Sequence, residues 1–313
     1  MHLPKFFQNF VFIIAIAISV KPLFAQSLAQ KLGYKDTDKL LIIHADDLGV
    51  AHSTNAASFE AMQHGVVNSG SIMVPTPWFF EVATYFKKNP HLDLGIHLTL
   101  TSEWRDYKWG PVSPIDKVKS LVNRYGYFYS SVDSFNMFAK PSEVELELTN
   151  QIEKCIKMGL DITHFDGHMG AIFSTAENMK IYLKLAKKYK VPVMYHPQMN
   201  AMFLKGKTPS TYPFPVDDII GVAPEAYPDK METYYSHKLD SLTTGVSVMI
   251  IHTAFDNDEM RAVCVDHPLW GSLWRQKDFN YFTGEEVNVV LKKNKIKLIT
   301  WREIRDKVVR KSS

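Results

Sequence analysis

Cysteine is scarce: Cys155 and Cys264 are the only two in 313 residues. They allow at most one disulfide, and no spacing argument brings them together. The sequence is therefore read as carrying two unpaired thiols, one on a helix and one in a loop. An excess of charge of either sign is also lacking. A formal net charge of +3, with no basic cluster, gives no footprint for nucleic acid or for an anionic membrane. There is no internal repeat and no low-complexity tract, and at 46% hydrophobic and 22% charged residues disorder does not dominate. No Gly-rich phosphate turn follows the first strand pattern, which argues against a doubly wound nucleotide-binding sheet.

Long apolar runs are confined to the amino terminus. Lys5 precedes Phe10 to Ile18, and Leu23-Phe24-Ala25 follow before Gln26. That is the charged, apolar and small-residue succession of a secretory signal, with a core too short for a comfortable bilayer span. Residues 1–25 are read as a cleaved signal, placing the mature chain in the periplasm or outside the cell with no stable membrane insertion. Residues 26–38 are read as a linker, 39–307 as a single catalytic domain and 308–313 as a tail.

What the chain does have is a run of four apolar residues, Leu40 to Ile43, leading into His44-Ala45-Asp46-Asp47-Leu48-Gly49. The run reads as a buried strand, with two adjacent carboxylates at its C-terminal end. Further strands are expected at Val67–Val74, Leu92–Leu100, Asp161–Phe165, Val191–Tyr195, Val246–Ile251 and Ile296–Thr300. Helices fall between them, including those opened by capping-box patterns at Ser142, Ser174 and Thr283. Seven strands alternating with helices predict an α/β fold with parallel pairing, a (β/α) barrel of about seven strands. Asp46 and Asp47, His97, His164 and His168, and His252 each follow a different strand, and a barrel gathers such groups at one mouth.

Asp47, His97 and His168 form a plausible ligand set for one divalent cation, zinc or magnesium. Such an ion would lower the pKa of a bound water and keep both carboxylates ionised, with Asp46 as general base. Adjacent strand residues point to opposite faces, so both acids reach one site only if the chain turns, and Gly49 suggests that it does. His252 is the candidate general acid or substrate contact. His44, His52 and His64 read as structural. Two long connections, Thr101–Lys140 and Phe255–Phe282, are candidate lids. Their Trp104, Trp109 and Trp270, with His164, are the candidate sugar-contacting residues.

The three segments His44–Gly49, Gly95-Ile96-His97-Leu98-Thr99 and Thr163–His168 resemble, in order and spacing, the motifs of the YdjC-like carbohydrate deacetylases. The resemblance runs from about Lys39 to Lys307. It implies a distorted (β/α) barrel and metal-dependent hydrolysis of acetyl groups from N-acetylated oligosaccharides. By position it implies Asp47, His97 and His168 as metal ligands, Asp46 as base and His252 as the catalytic histidine. The chain departs from the family pattern in Thr253-Ala254 after His252, Met169-Gly170 after His168, and His196 where an arginine is usual. A metal-dependent phosphoesterase, with Arg105 and Arg261 as a phosphate clamp, and a non-catalytic glycan-binding module are the alternatives.

Overall fold

The computed structural model describes residues 26–199 and 212–312; the segment read as a signal lies outside them. Seven parallel strands form one curled sheet: β1 (Lys39–Leu48), β2 (Ser69–Ile72), β3 (Leu94–Leu98), β4 (Phe165–Gly167), β5 (Asp218–Gly221), β6 (Gly245–Ile251) and β7 (Ile296–Leu298). The order is β4-β3-β2-β1-β6-β5, with β7 beside the start of β1. The seam between β4 and β5 is spanned by the chain around Val193. That residue bridges to Phe165, and Val216 N–H donates to the Tyr195 carbonyl at 3.0 Å. The result is a distorted (β/α) barrel, as the alternating pattern predicts.

β1 is buried on both faces, which is why it reads as an unbroken apolar run. Leu41, Ile43 and Ala45 pack outward against the helices His52–His64 and Phe79–Lys88. Leu40 and Ile42 pack inward with Val246, Val248 and Trp301. By the same two-residue period His44 and Asp46 point inward, and Asp47 would point out to the helices.

Several elements differ from expectation. The fifth strand predicted at Val191–Tyr195 is reduced to the Val193 bridge, and Asp218–Gly221 takes its place in the sheet. Pro192 at its start removes a ladder donor. The strand predicted from Asp161 begins only at Phe165. Residues Phe255–Phe282 carry two helices, Asp258–Val263 and Ser272–Thr283, rather than a loop. The helix expected to be capped by Ser142 starts at Pro141, suited to a first turn, and no side chain caps it. Thr175, not Ser174, caps the next helix through Asn178 N–H. Gly284 opens Glu285–Lys293 with no side-chain cap. The presumed linker holds a helix, Leu28–Leu32, with a Ser27/Gln30 capping box, and its apolar residues close the bottom of the barrel. Val308 and Val309 of the presumed tail join the same cluster. Cys155 and Cys264 are both buried and unpaired. Among the described residues no helix is long and apolar enough to cross a membrane.

Gly95 lies in β3 directly against the imidazole of His164, where an added Cβ would overlap the ring. Gly95→Ala is expected to destabilise the protein by about 1–3 kcal/mol, read from the midpoint of denaturant unfolding.

Candidate metal centre and active site

The problem of two adjacent carboxylates is solved at Asp47 itself. Its φ is +68°, in the left-handed region, and the β1–β2 register breaks between Ala45 and Leu48. Asp is among the few residues that enter this region readily. The turn swings Asp47 back to the inner side, next to Asp46. Gly49, at φ +99°, completes it; its N–H donates to Asn55 Oδ1 at 2.6 Å.

Asp47 Oδ1 then faces His97 Nε2 at 3.4 Å and His168 Nδ1 at 3.3 Å. All three residues are buried, and their ligand atoms lie within 4.8 Å of one another. Asp47 Oδ1 accepts no hydrogen bond among the described residues. A buried carboxylate oxygen with no donor is costly, and one aimed between two imidazole nitrogens fits a cation. The other atoms of each ligand are tied down. Asp47 Oδ2 accepts from Arg275 Nη2 at 2.7 Å. His97 Nδ1 lies 2.8 Å from Asp166 Oδ1, and His168 Nε2 lies 2.9 Å from Glu103 Oε2. Both imidazoles thus direct one N–H to a carboxylate and the other nitrogen to Asp47, as metal-ligating histidines do.

Burial opposes the charge on Asp47, but Arg275 and then His168 hold its carboxyl well below the usual range. Burial also opposes protonation of the two histidines. Glu103 and Asp47 nevertheless lift His168 to about 10, and Asp166, Asp46 and Asp47 raise His97.

Asp46 lies beside this cluster, with Oδ2 3.9 Å from His97 Nε2 and 3.8 Å from His252 Nε2. Its Oδ1 is 3.1 Å from His44 Nε2. His44 also contacts Asp166 Oδ2 at 2.7 Å and Ser69 Oγ at 2.9 Å. Burial works against a charge on His44, yet these carboxylates raise it to about 10. His252 is anchored through its backbone N–H to Asp278 Oδ2 at 2.8 Å. Burial pushes its ring down to about 4.

The predicted base, acid and metal ligands therefore meet at one mouth. The predicted sugar contacts do not all reach it. His164 is fully buried, stacked on Trp301 with ring centroids 5.0 Å apart and edge-on to His44, so it is an interior residue. Trp104 and Trp109 are also buried. Trp104 packs under the Arg275 guanidinium and Trp109 against the edge of His168, so they wall the centre instead of offering a platform. Trp270 is 40% exposed, with its carbonyl accepting from Arg275 Nε at 2.6 Å. A cavity of about 290 Å³ opens from Asp46, His97 and Asp166 toward Phe173, Met194 and His196.

Sequence reasoning missed four functional groups: His44, Asp166, Glu103 and Arg275. Two were within reach of it. His44 is in phase with Asp46 two residues on, and Asp166 sits inside a motif already singled out. Glu103 and Arg275 come from distant segments and leave no local signal.

A family model described as YdjC-like protein matches residues 40–293. The chain belongs to the YdjC-like family. A protein of Thermus thermophilus named carbohydrate deacetylase is 30% identical over 273 residues, covering 86% of this chain and 94% of the relative. One of Thermoanaerobacter pseudethanolicus with the same name is 28% identical, covering 84% of this chain and 98% of the relative. An Enterococcus faecalis crystal structure, named for cellobiose-phosphate cleavage, superposes with a TM-score of 0.73 at 24% identity. It covers 85% of this chain and 99% of that one, and it supports the same fold for this YdjC-like chain.

Two outcomes follow for the metal centre. Asp47→Ala should abolish tight cation binding and, by leaving Arg275 buried without its carboxylate partner, destabilise the apo protein by about 3–5 kcal/mol. Calorimetry and denaturant unfolding read the two effects separately. Because raised-pKa histidines must lose protons to ligate, cation affinity should climb as pH rises from 6 to 8. Titrations in buffers of different ionisation enthalpy should detect the released protons.

Proposed function

We propose that the protein is an exported, metal-dependent hydrolase that removes acetyl groups from N-acetylated oligosaccharides. The observation that carries the reading is the convergence of Asp47, His97 and His168 on one point, beside the free edge of Asp46 and the ring of His252. Relatives named carbohydrate deacetylase over most of their length support the substrate class. The succession at residues 1–25 supports export.

Asp47 Oδ1, His97 Nε2 and His168 Nδ1 would hold one divalent cation. When bound, it supplies a Lewis acid that polarises the acetamide carbonyl and acidifies a water. Asp46 takes the proton of the attacking water. Its carboxylate is held in place by His44, whose second carboxylate partner, Asp166, also orients His97. His252 is neutral near pH 7, so the proton delivered to the departing amine is the one Asp46 has taken. His252 lies 3.8 Å from Asp46 and is placed to carry it. Trp270, the exposed aromatic next to Arg275, offers a face for a sugar ring.

The phosphoesterase alternative is weakened by what its clamp residues do. Arg105 pairs with Asp106 and Asp266, and Arg261 with Asp256, all near the surface. The buried Arg275 is committed to Asp47.

The test is acetate release from N-acetylated chito-oligosaccharides. Activity should vanish with chelator and return with cation. Asp46→Asn should lower kcat by about 10²–10⁴-fold while cation affinity stays near that of the wild type. Undiminished turnover by Asp46→Asn would overturn the assigned base, and sugar binding without any acetate would favour a binding module. Export is checked by mass spectrometry of the extracytoplasmic protein, with the mature chain beginning near Gln26.

A further inference from the structure

The metal-facing imidazole of His168 is not positioned by the barrel alone. Its Nε2 reaches out to Glu103, a residue of the first long connection, 65 positions earlier in the chain. Glu103 is buried enough to matter, its side chain 14% exposed, and it stands in a stretch folded tightly over the site. The neighbouring Ser102 Oγ accepts from Trp109 N–H at 3.1 Å, and the Ser102 carbonyl accepts from Lys108 Nζ at 2.8 Å. Trp109 Nε1 donates to the Thr101 carbonyl at 2.8 Å, which turns its indole against the His168 ring, centroids 6.0 Å apart. On the other side of His168 the chain leaves through two consecutive left-handed residues, Met169 and Gly170. The imidazole, with Nδ1 toward Asp47, is flanked by the rings of His97 and Trp109 and held at Nε2 by the carboxylate of Glu103.

We propose that Glu103 is a positioning residue of the metal centre, and that through its bond to His168 Nε2 cation binding and seating of the 101–109 segment are one coupled equilibrium. The inference rests on the reading of Asp47, His97 and His168 as the ligand set. A histidine that ligates through Nδ1 must carry its proton on Nε2, and that proton needs an acceptor when buried. Glu103 is that acceptor, and a bound cation would fix both the tautomer and the ring orientation on which this bond to the segment depends. By linkage the coupling is reciprocal: the factor by which Glu103 tightens the cation is the factor by which the cation tightens the segment.

The experiment measures cation affinity by calorimetry, and amide hydrogen exchange over residues 101–109 with and without zinc, for four full-length proteins. Wild type should bind zinc and slow exchange in the segment. Glu103→Ala should lose about 10–100-fold in affinity and a matching factor of zinc-dependent protection. Glu103→Gln, whose amide oxygen still accepts the Nε2 proton, should recover part of both. Asp106→Ala, an exposed position on the same connection, should behave as wild type and controls for general loosening. Wild-type affinity in Glu103→Ala, or zinc-dependent protection unchanged by it, overturns the coupling while leaving the ligand set intact. Absence of zinc binding by the wild type overturns the ligand set itself, and the inference with it.

Discussion

The structure turns on the burial of negative charge at the mouth of the barrel. Asp46, Asp47 and Asp166 are each less than a tenth exposed, and Glu103 stands against them through His168. Arg275, bonded to Asp47, and the imidazole of His44, set against Asp46 and Asp166, face these carboxylates. The same carboxylates raise the proton affinity of His97 and His168. A divalent ion would supply positive charge at one point and let both imidazoles ligate in their neutral form. Unpaired buried charge costs several kcal/mol per group, so this balance constrains every side chain around it.

That constraint also orients the ligands. Asp166 takes the Nδ1 side of His97 and Glu103 the Nε2 side of His168, which leaves opposite ring nitrogens facing the same oxygen of Asp47. Arg275 occupies the second oxygen of Asp47. The barrel contributes the strand ends, and the connections contribute the partners. Arg275 belongs to the helix Ser272–Thr283, and its guanidinium lies over Trp104 of the first connection. Arg105 and Asp266 pair across the same two segments at the surface. The candidate site is therefore a joint product of the sheet and two excursions from it.

Much of this was legible in the sequence because β1 is simple. Four apolar residues before two acids mark a buried strand ending at a polar mouth, and the same logic applies to His97, His168 and His252. The turn that brings Asp47 inward was legible only as a need. Gly49 suggested it, but the left-handed residue is Asp47, and no periodicity announces that. Asp166 was given no role of its own, though the β3–β4 register places it level with His97. Apolar content drew the fifth strand to Val191–Tyr195, when the sheet uses the shorter Asp218–Gly221. The tryptophans mark the site, yet composition alone does not separate a buried wall from an open platform.

Anomalous diffraction at the zinc edge, from crystals of the zinc-loaded protein, tests the central claim most directly. The account predicts one ion at the barrel mouth, ligated by Asp47 Oδ1, His97 Nε2 and His168 Nδ1 at about 2.0–2.2 Å. An ion held instead between Asp46 and Asp166, or an empty mouth in protein that carries zinc elsewhere, would contradict it.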